Sequence, residues 1–203
     1  MGGEITVWWG PDDMVSALGF GTEENMAAVR AMKSSLASWH DATPVCLIDR
    51  KRLGALAAEQ GLAGYTPLER LVLATLGGVV ARSGVTPADK RVLIVLATTK
   101  GEIGSLGSAP ERCDLNRTAE VVGRHFGAAH RPLLVSNACI SGVSAIVIAA
   151  RLIRSGRYDH VFVAGFDLLC DFIVSGFNAF KSVSPTLCRP YDAARDGLTL
   201  GEA

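Results

Sequence analysis

Apolar and polar positions alternate along this chain in two rhythms, and each predicts a different element. The run Arg91-Val-Leu-Ile-Val-Leu-Ala97 is continuously aliphatic and β-branched. Such runs mark strands covered by helices on both faces of a parallel sheet. Pro132–Ser136 and His160–Gly165 predict a second and a third buried strand, and Ile5–Trp9 a short strand closed by Gly10-Pro11-Asp12-Asp13. Between them the spacing turns helical. Thr22–Ser38 predicts a helix that starts at Thr22 with Glu23 and Glu24 in its first turn. Thr66 caps a clearer one, with Pro67 at the first helical position and Glu69 three residues after the cap. That helix carries Leu71, Val72, Thr75 and Val79 to a stop at Ser83-Gly84. Thr118–Phe126 predicts another helix, and the Gly/Ser-rich stretch Gly101–Ser108 a loop. Strand and helix alternate throughout, the signature of an α/β fold.

Ser141–Ser155 stands apart. Val143, Ala145, Ile146, Val147, Ile148, Ala149, Ala150, Leu152 and Ile153 cover its whole circumference. A helix apolar all round is expected at the centre of a protein, not on its surface.

Composition narrows the function classes. The 203 residues include 20 basic and 20 acidic side chains, so no overall field attracts nucleic acid or an anionic membrane. The longest near-apolar stretch, Val143–Ile153, is interrupted by Arg151 and is too short to span a bilayer. The start, MGGEITVWWGPDD, lacks the basic and apolar regions of a secretory signal, so a cytoplasmic location is expected. Cys46, Cys113, Cys139, Cys170 and Cys188 are odd in number and widely spaced, which argues against a disulfide framework or a zinc knuckle. Gly101, Gly104 and Gly107 do not have the spacing of a dinucleotide fingerprint.

One cysteine has informative neighbours. Leu133-Leu-Val-Ser-Asn-Ala-Cys139-Ile-Ser-Gly142 passes from a strand directly into a helix. A sharp turn of this kind pushes a side chain out at the carboxyl edge of a sheet, where α/β folds bind ligands. The start of the helix presents unpaired backbone N–H groups and the positive end of its dipole, which favour thiolate over thiol. Ala138, Ser141, Gly142 and Ser144 are small enough to leave room for a substrate. From this pattern alone, a nucleophile and a small residue at a tight packing point fit equally well.

Four segments in order shift the balance toward the nucleophile: Asn137-Ala-Cys-Ile-Ser-Gly142, Val161-Phe-Val-Ala-Gly165, Gly176-Phe-Asn-Ala-Phe-Lys-Ser-Val-Ser184, and Arg189-Pro-Tyr-Asp-Ala-Ala-Arg-Asp-Gly197 running into Glu202. Together they resemble the β-ketoacyl synthase family of the thiolase fold. Thr98-Thr-Lys-Gly101 fits more loosely, and the first fifty residues depart from the family's opening strand. The resemblance implies a layered α/β/α architecture, with residues 1–203 as the N-terminal half of the family's full length.

The resemblance also implies a mechanism. Cys139 maps onto the family's nucleophile, which takes an acyl chain from acyl carrier protein or coenzyme A as a thioester. A malonyl thioester then loses carbon dioxide and condenses with it to give a 3-oxoacyl product, in fatty-acid, polyene or polyketide synthesis. No cofactor or metal is implied. Phe177, Phe180 and Ser184 map near the acyl pocket, where packing roles fit equally well. A homodimer is expected, with Leu133–Ser136 at its interface. The family's two catalytic histidines lie in its second half; His40, His125, His130 and His160 match no motif and are read as structural. These residues alone are therefore expected to accept an acyl group without condensing it. Gly197–Ala203, which begins like a strand and lacks a polar tail, is read as an interrupted end.

Other features have plainer readings. Asp192, Arg195 and Asp196 are expected in a structural turn with buried ion pairing. Asp49-Arg-Lys-Arg52 could face an acidic carrier protein, but a solvated helix face explains it better. A non-condensing partner subunit, or a degenerate half-protein, is the alternative function, although such family partners usually lose the cysteine. A cysteine hydrolase with a nucleophile elbow would want glycine two residues on either side of the nucleophile, where Asn137 and Ser141 stand.

Overall fold

A computed structural model describes residues 5–40 and 43–203. In chain order the elements are β1 (Val15–Ser16), β2 (Gly19–Phe20), α1 (Thr22–Arg30), β3 (Ala37–Trp39), β4 (Thr43–Cys46), α2 (Arg50–Glu59) and α3 (Pro67–Ser83). They continue with β5 (Val92–Ala97), α4 (Leu115–His125), β6 (Leu133–Val135), α5 (Ser141–Arg154), β7 (His160–Gly165), α6 (Asp171–Ala179) and β8 (Leu200–Gly201). The chain divides into two compact units, one formed by Gly54–Asp167 with the segment up to Asp13, the other by Met14–Leu53 with Leu168–Ala203.

The first unit is built on a parallel sheet of order β6-β5-β7. All six residues of β5 are buried, as their aliphatic run predicts. The step from β5 to β6 goes one way across the sheet and the step from β6 to β7 goes back the other way. Right-handed crossovers in opposite directions place α4 and α5 on opposite faces. Helix α3 packs against α4, so three layers result, α/β/α. Leu93, Val95 and Ala97 meet Ala145 of α5 and Tyr158, with Val135, Leu152, Val161 and Val163 packed around them. Val92, Ile94 and Leu96 alternate onto the other face.

Helix α3 has the termini its sequence predicts. Thr66 Oγ1 accepts the Glu69 N–H at 3.2 Å, the Glu69 carboxylate accepts the Thr66 N–H at 2.8 Å, and Gly84 closes the helix at φ 66°.

The second unit pairs β1 with β2 antiparallel, and orders β3-β4-β8 with β3–β4 antiparallel and β4–β8 parallel. Two buried polar residues tie its loops together. Asn25, on α1, donates from Nδ2 to the carbonyls of Met14, Gly19 and Gly21. Glu202 has a fully buried carboxylate that accepts from the backbone N–H groups of Ile48 and Leu169 and pairs with Arg50.

Four expectations are corrected. Ile5–Trp9 forms no strand; Trp8 and Trp9 are largely exposed, and without a partner strand an apolar run makes no ladder. Helix α1 ends at Arg30 rather than Ser38, because Met32 turns left-handed at φ 51°. Strands β6 and β7 are only partly buried; both are edges of a three-stranded sheet. Helix α5 buries Ser141, Ala145 and Ala149, while Val143, Ile146 and Val147 are exposed. The sheet covers one stripe of α5, and nothing else among the described residues of this unit covers the rest.

Candidate functional site

The carboxyl edge of the parallel sheet gathers the ends of β5, β6 and β7. After β6 the backbone turns through Ser136, Asn137 and Ala138 to Cys139, and α5 begins at Ser141. Ala138 adopts φ 46°, a left-handed conformation that costs a non-glycine residue about 1 kcal/mol. Strain of this kind persists only where surrounding bonds over-determine it, and here they do. The Ser141 hydroxyl accepts the Asn137 N–H at 2.8 Å and donates to the Ala138 carbonyl at 2.7 Å. Two further backbone bonds, from Ile140 N–H to Asn137 O and from Ser141 N–H to Ala138 O, close the turn at 3.2 Å each.

The turn exposes the thiol. Cys139 is the exposed cysteine of the five free ones, and the other four are half-buried. Burial, with the nearby Cys188 as a lesser cause, raises the Cys46 thiol above its ordinary range. No side chain caps the first turn of α5 at Ile140.

A second set of residues at this edge was not legible in the sequence. Asp167, just after β7, accepts from Thr98 Oγ1 at 2.8 Å, from Thr99 N–H at 3.0 Å and from Thr99 Oγ1 at 3.0 Å. Ser136 Oγ donates to the Thr99 carbonyl at 3.1 Å. The signal available was the Thr98-Thr99 pair directly after a fully buried strand, but no spacing rule links it to Asp167.

Each histidine has a local setting in its own unit. His160 opens β7 opposite Val92, and His130 Nε2 meets the Lys90 carbonyl at 2.9 Å just before β5. Both sit at the amino edge of the sheet, so a strand length, about 16 Å, separates them from the edge that carries Cys139. His125 ends α4 beside the Tyr65 hydroxyl, and burial lowers its pKa. In the second unit His40 Nε2 and Trp39 Nε1 each lie 2.8 Å from Asp171 Oδ1, and both bonds hold that carboxyl below its usual range.

The other sequence-predicted residues belong to the second unit. Phe177 is half-buried on α6, Phe180 just past its end is 83% exposed, and Ser184 is fully buried. Ser184 Oγ donates to Asp196 at 2.7 Å, the main cause of that carboxyl's lowered pKa. Arg189 pairs with Asp196 at the surface, so the buried ion pairing expected in this turn is corrected to an exposed one. The basic run also resolves into local bonds: Asp49 caps α2 by accepting from the Lys51 and Arg52 N–H groups, and Arg52 grips Glu24 through two bonds of 2.6 Å.

Comparison with known proteins matches residues 62–203 to the family described as Beta-ketoacyl synthase, N-terminal domain. The chain belongs to the β-ketoacyl synthase family. Its relatives include nodulation protein E of Rhizobium meliloti, 30% identical over 76% of this chain and 41% of that protein. A putative polyketide β-ketoacyl synthase 1 of Streptomyces virginiae is 34% identical over 37% of this chain and 20% of that protein. Among solved structures, the ketosynthase ApeO of Xenorhabdus doucetiae, in complex with its chain length factor ApeC, superposes with a TM-score of 0.73 at 22% identity. That match covers 95% of this chain and 55% of the other, and it shows a thiolase-like fold. The chain spans about half the length of the proteins it matches.

Proposed function

We propose that this ketosynthase domain accepts an acyl group on Cys139 and holds it for decarboxylative condensation with a malonyl thioester. The observation that carries the reading is the exposure of Cys139 on a strained turn, at the uncapped start of α5 and the carboxyl edge of the sheet. In the first step the Cys139 sulfur attacks the acyl carbonyl, a new thioester forms, and the donor leaves as a free thiol. The backbone N–H of Cys139 itself is the proposed oxyanion donor. In the second step the malonyl thioester loses carbon dioxide, its α-carbon bonds to the acyl carbonyl, and the Cys139 sulfur is released.

The donor is proposed to be acyl carrier protein or coenzyme A. A non-condensing partner has no use for an exposed cysteine held at the cost of backbone strain, which favours the condensing reading.

The groups that stabilise the enolate are proposed to lie in the family's second half; within the first unit His130 and His160 sit at the far edge of the sheet and His125 ends α4 beside Tyr65. Such groups are each worth about a hundredfold or more in rate. A homodimer is proposed through β6, an edge strand with Leu133 exposed.

The test supplies an acyl thioester and malonyl-carrier protein to these 203 residues, alone and with a separately expressed second half from a ketosynthase. Acylation at most is expected alone, and 3-oxoacyl product only from the mixture. Product from a Cys139→Ser mixture would overturn the assignment.

A further inference from the structure

The bonds at the sheet edge form a continuous path from β7 to the turn that holds Cys139. Asp167 fixes Thr99 from one side: its carboxylate takes both the backbone N–H and the hydroxyl of Thr99, and the hydroxyl of Thr98 as well. The opposite end of the same residue, the Thr99 carbonyl, takes the hydroxyl of Ser136. Ser136 is the first residue after β6, and the ladder between β5 and β6 ends one residue earlier at Ala97 and Val135. Two bonds prolong the tether past that last pair, from Thr98 N–H to Val135 O at 3.3 Å and from Ser136 Oγ to Thr99 O. Two residues further on stands Ala138 in its left-handed conformation.

We infer that Asp167 is a positioning residue for the Cys139 nucleophile, acting through Thr99 and Ser136 to hold the strained turn in register. The proposal rests on the reading of Cys139 as acyl acceptor. A hydrogen bond to an ionised carboxylate is stronger than a neutral one, so Asp167 is the firm end of the path and Ser136 the end that reaches the turn. Thr98 explains why the anchor is rigid: it is 1% exposed, and its hydroxyl also accepts the Gly101 N–H at 3.0 Å, locking the loop that follows β5. Without the path, Ala138 is free to relieve its strain and the thiol loses its fixed aim at the carboxyl edge.

The experiment is a double-mutant cycle read on Cys139 itself. The full chain, Asp167→Ala, Ser136→Ala and the double variant are treated with an acyl-coenzyme A and, separately, with iodoacetamide. Modification of Cys139 is measured against Cys113 in the same digest. Each single change is expected to lower the Cys139-to-Cys113 ratio about 3- to 10-fold, and the double no further than the larger single, because both cut one path. Asp167→Glu is expected to restore part of the ratio. Unchanged or raised ratios in the single variants, or single effects that multiply in the double, would overturn the proposal. Ser136 is exposed, so its variant keeps the test alive if Asp167→Ala does not fold. Failure of the acyl-acceptor reading looks different: the starting chain would then show no acyl adduct on Cys139, while the iodoacetamide ratios still report on positioning.

Discussion

The Ser141 hydroxyl lies 2.8 Å from the Asn137 amide nitrogen and accepts its proton, bridging the chain on either side of Cys139. Ser141 is itself 4% exposed, so this bond is made where water does not compete freely. Ser141→Ala would leave the Asn137 N–H and the Ala138 carbonyl without the hydroxyl that joins them. A loss of about 1–3 kcal/mol of stability is expected, measured by urea denaturation. Modification of Cys139 is expected to slow in the same variant. An unchanged midpoint and an unchanged rate together would show that the turn needs no such clasp.

Selective reactivity follows from exposure. At pH 7 Cys139 is expected to be alkylated by iodoacetamide at least about tenfold faster than Cys46, whose thiol burial disfavours ionising. Mass-spectrometric mapping ranks all five cysteines in one digest, and equal labelling would contradict the account.

A glycine near Ser184 carries the sharpest steric prediction. At Gly197, φ 152°, an added Cβ would lie 2.4 Å from the Ser184 amide nitrogen and 2.5 Å from the Val183 carbonyl carbon. These are backbone atoms, held by bonds of 2.8 Å from Ser184 N–H to Leu198 O and from Leu198 N–H to Ser182 O. Gly197→Ala is expected to cost about 3 kcal/mol, read as a shift in the denaturation midpoint. Full stability would mean that this approach is looser than the structure shows.

Much of the first unit was legible because local signals and packing agree there. Thr66, Pro67, Glu69 and Gly84 each act within one turn of α3, and β5 is apolar because both of its faces are covered. The exposed flank of α5 was not legible, since an apolar sequence states what a helix can bury and not what stands next to it. Ile5–Trp9 failed for the same reason: alternation gives a strand only when a partner edge exists. Asp167 was hidden because its three donors belong to residues nearly seventy positions earlier, brought together only by the pairing of β5 with β7.

Acid titration should expose one surface pair in the second unit. The two bonds from Arg52, with the Phe20 N–H as a second cause, hold Glu24 down to about 2 against an ordinary value of 4.5. A depressed folded pKa contributes stability that is fully present above 4.5 and is lost as pH falls through about 2. Glu24→Gln is therefore expected to be less stable than the starting chain at pH 6, with the difference shrinking toward pH 2 and weakening in high salt. A difference independent of pH would assign the effect to packing.

Neither amino-edge histidine should matter to the first chemical step. His130→Asn and His160→Asn are expected to leave the rate of Cys139 acylation within about twofold, because a strand length separates them from the thiol. A drop of tenfold or more in a variant that still folds would place an acid or base where this structure puts none.

Acyl transfer itself is the most direct test of the central claim. The chain is incubated with an acyl-coenzyme A or an acyl-carrier protein, and the adduct is located by intact mass and peptide mapping. The account predicts one acyl group on the peptide containing Cys139, released by hydroxylamine as a thioester should be and absent from a folded Cys139→Ser variant. An adduct on another residue, or one that survives the Cys139→Ser change, would contradict it.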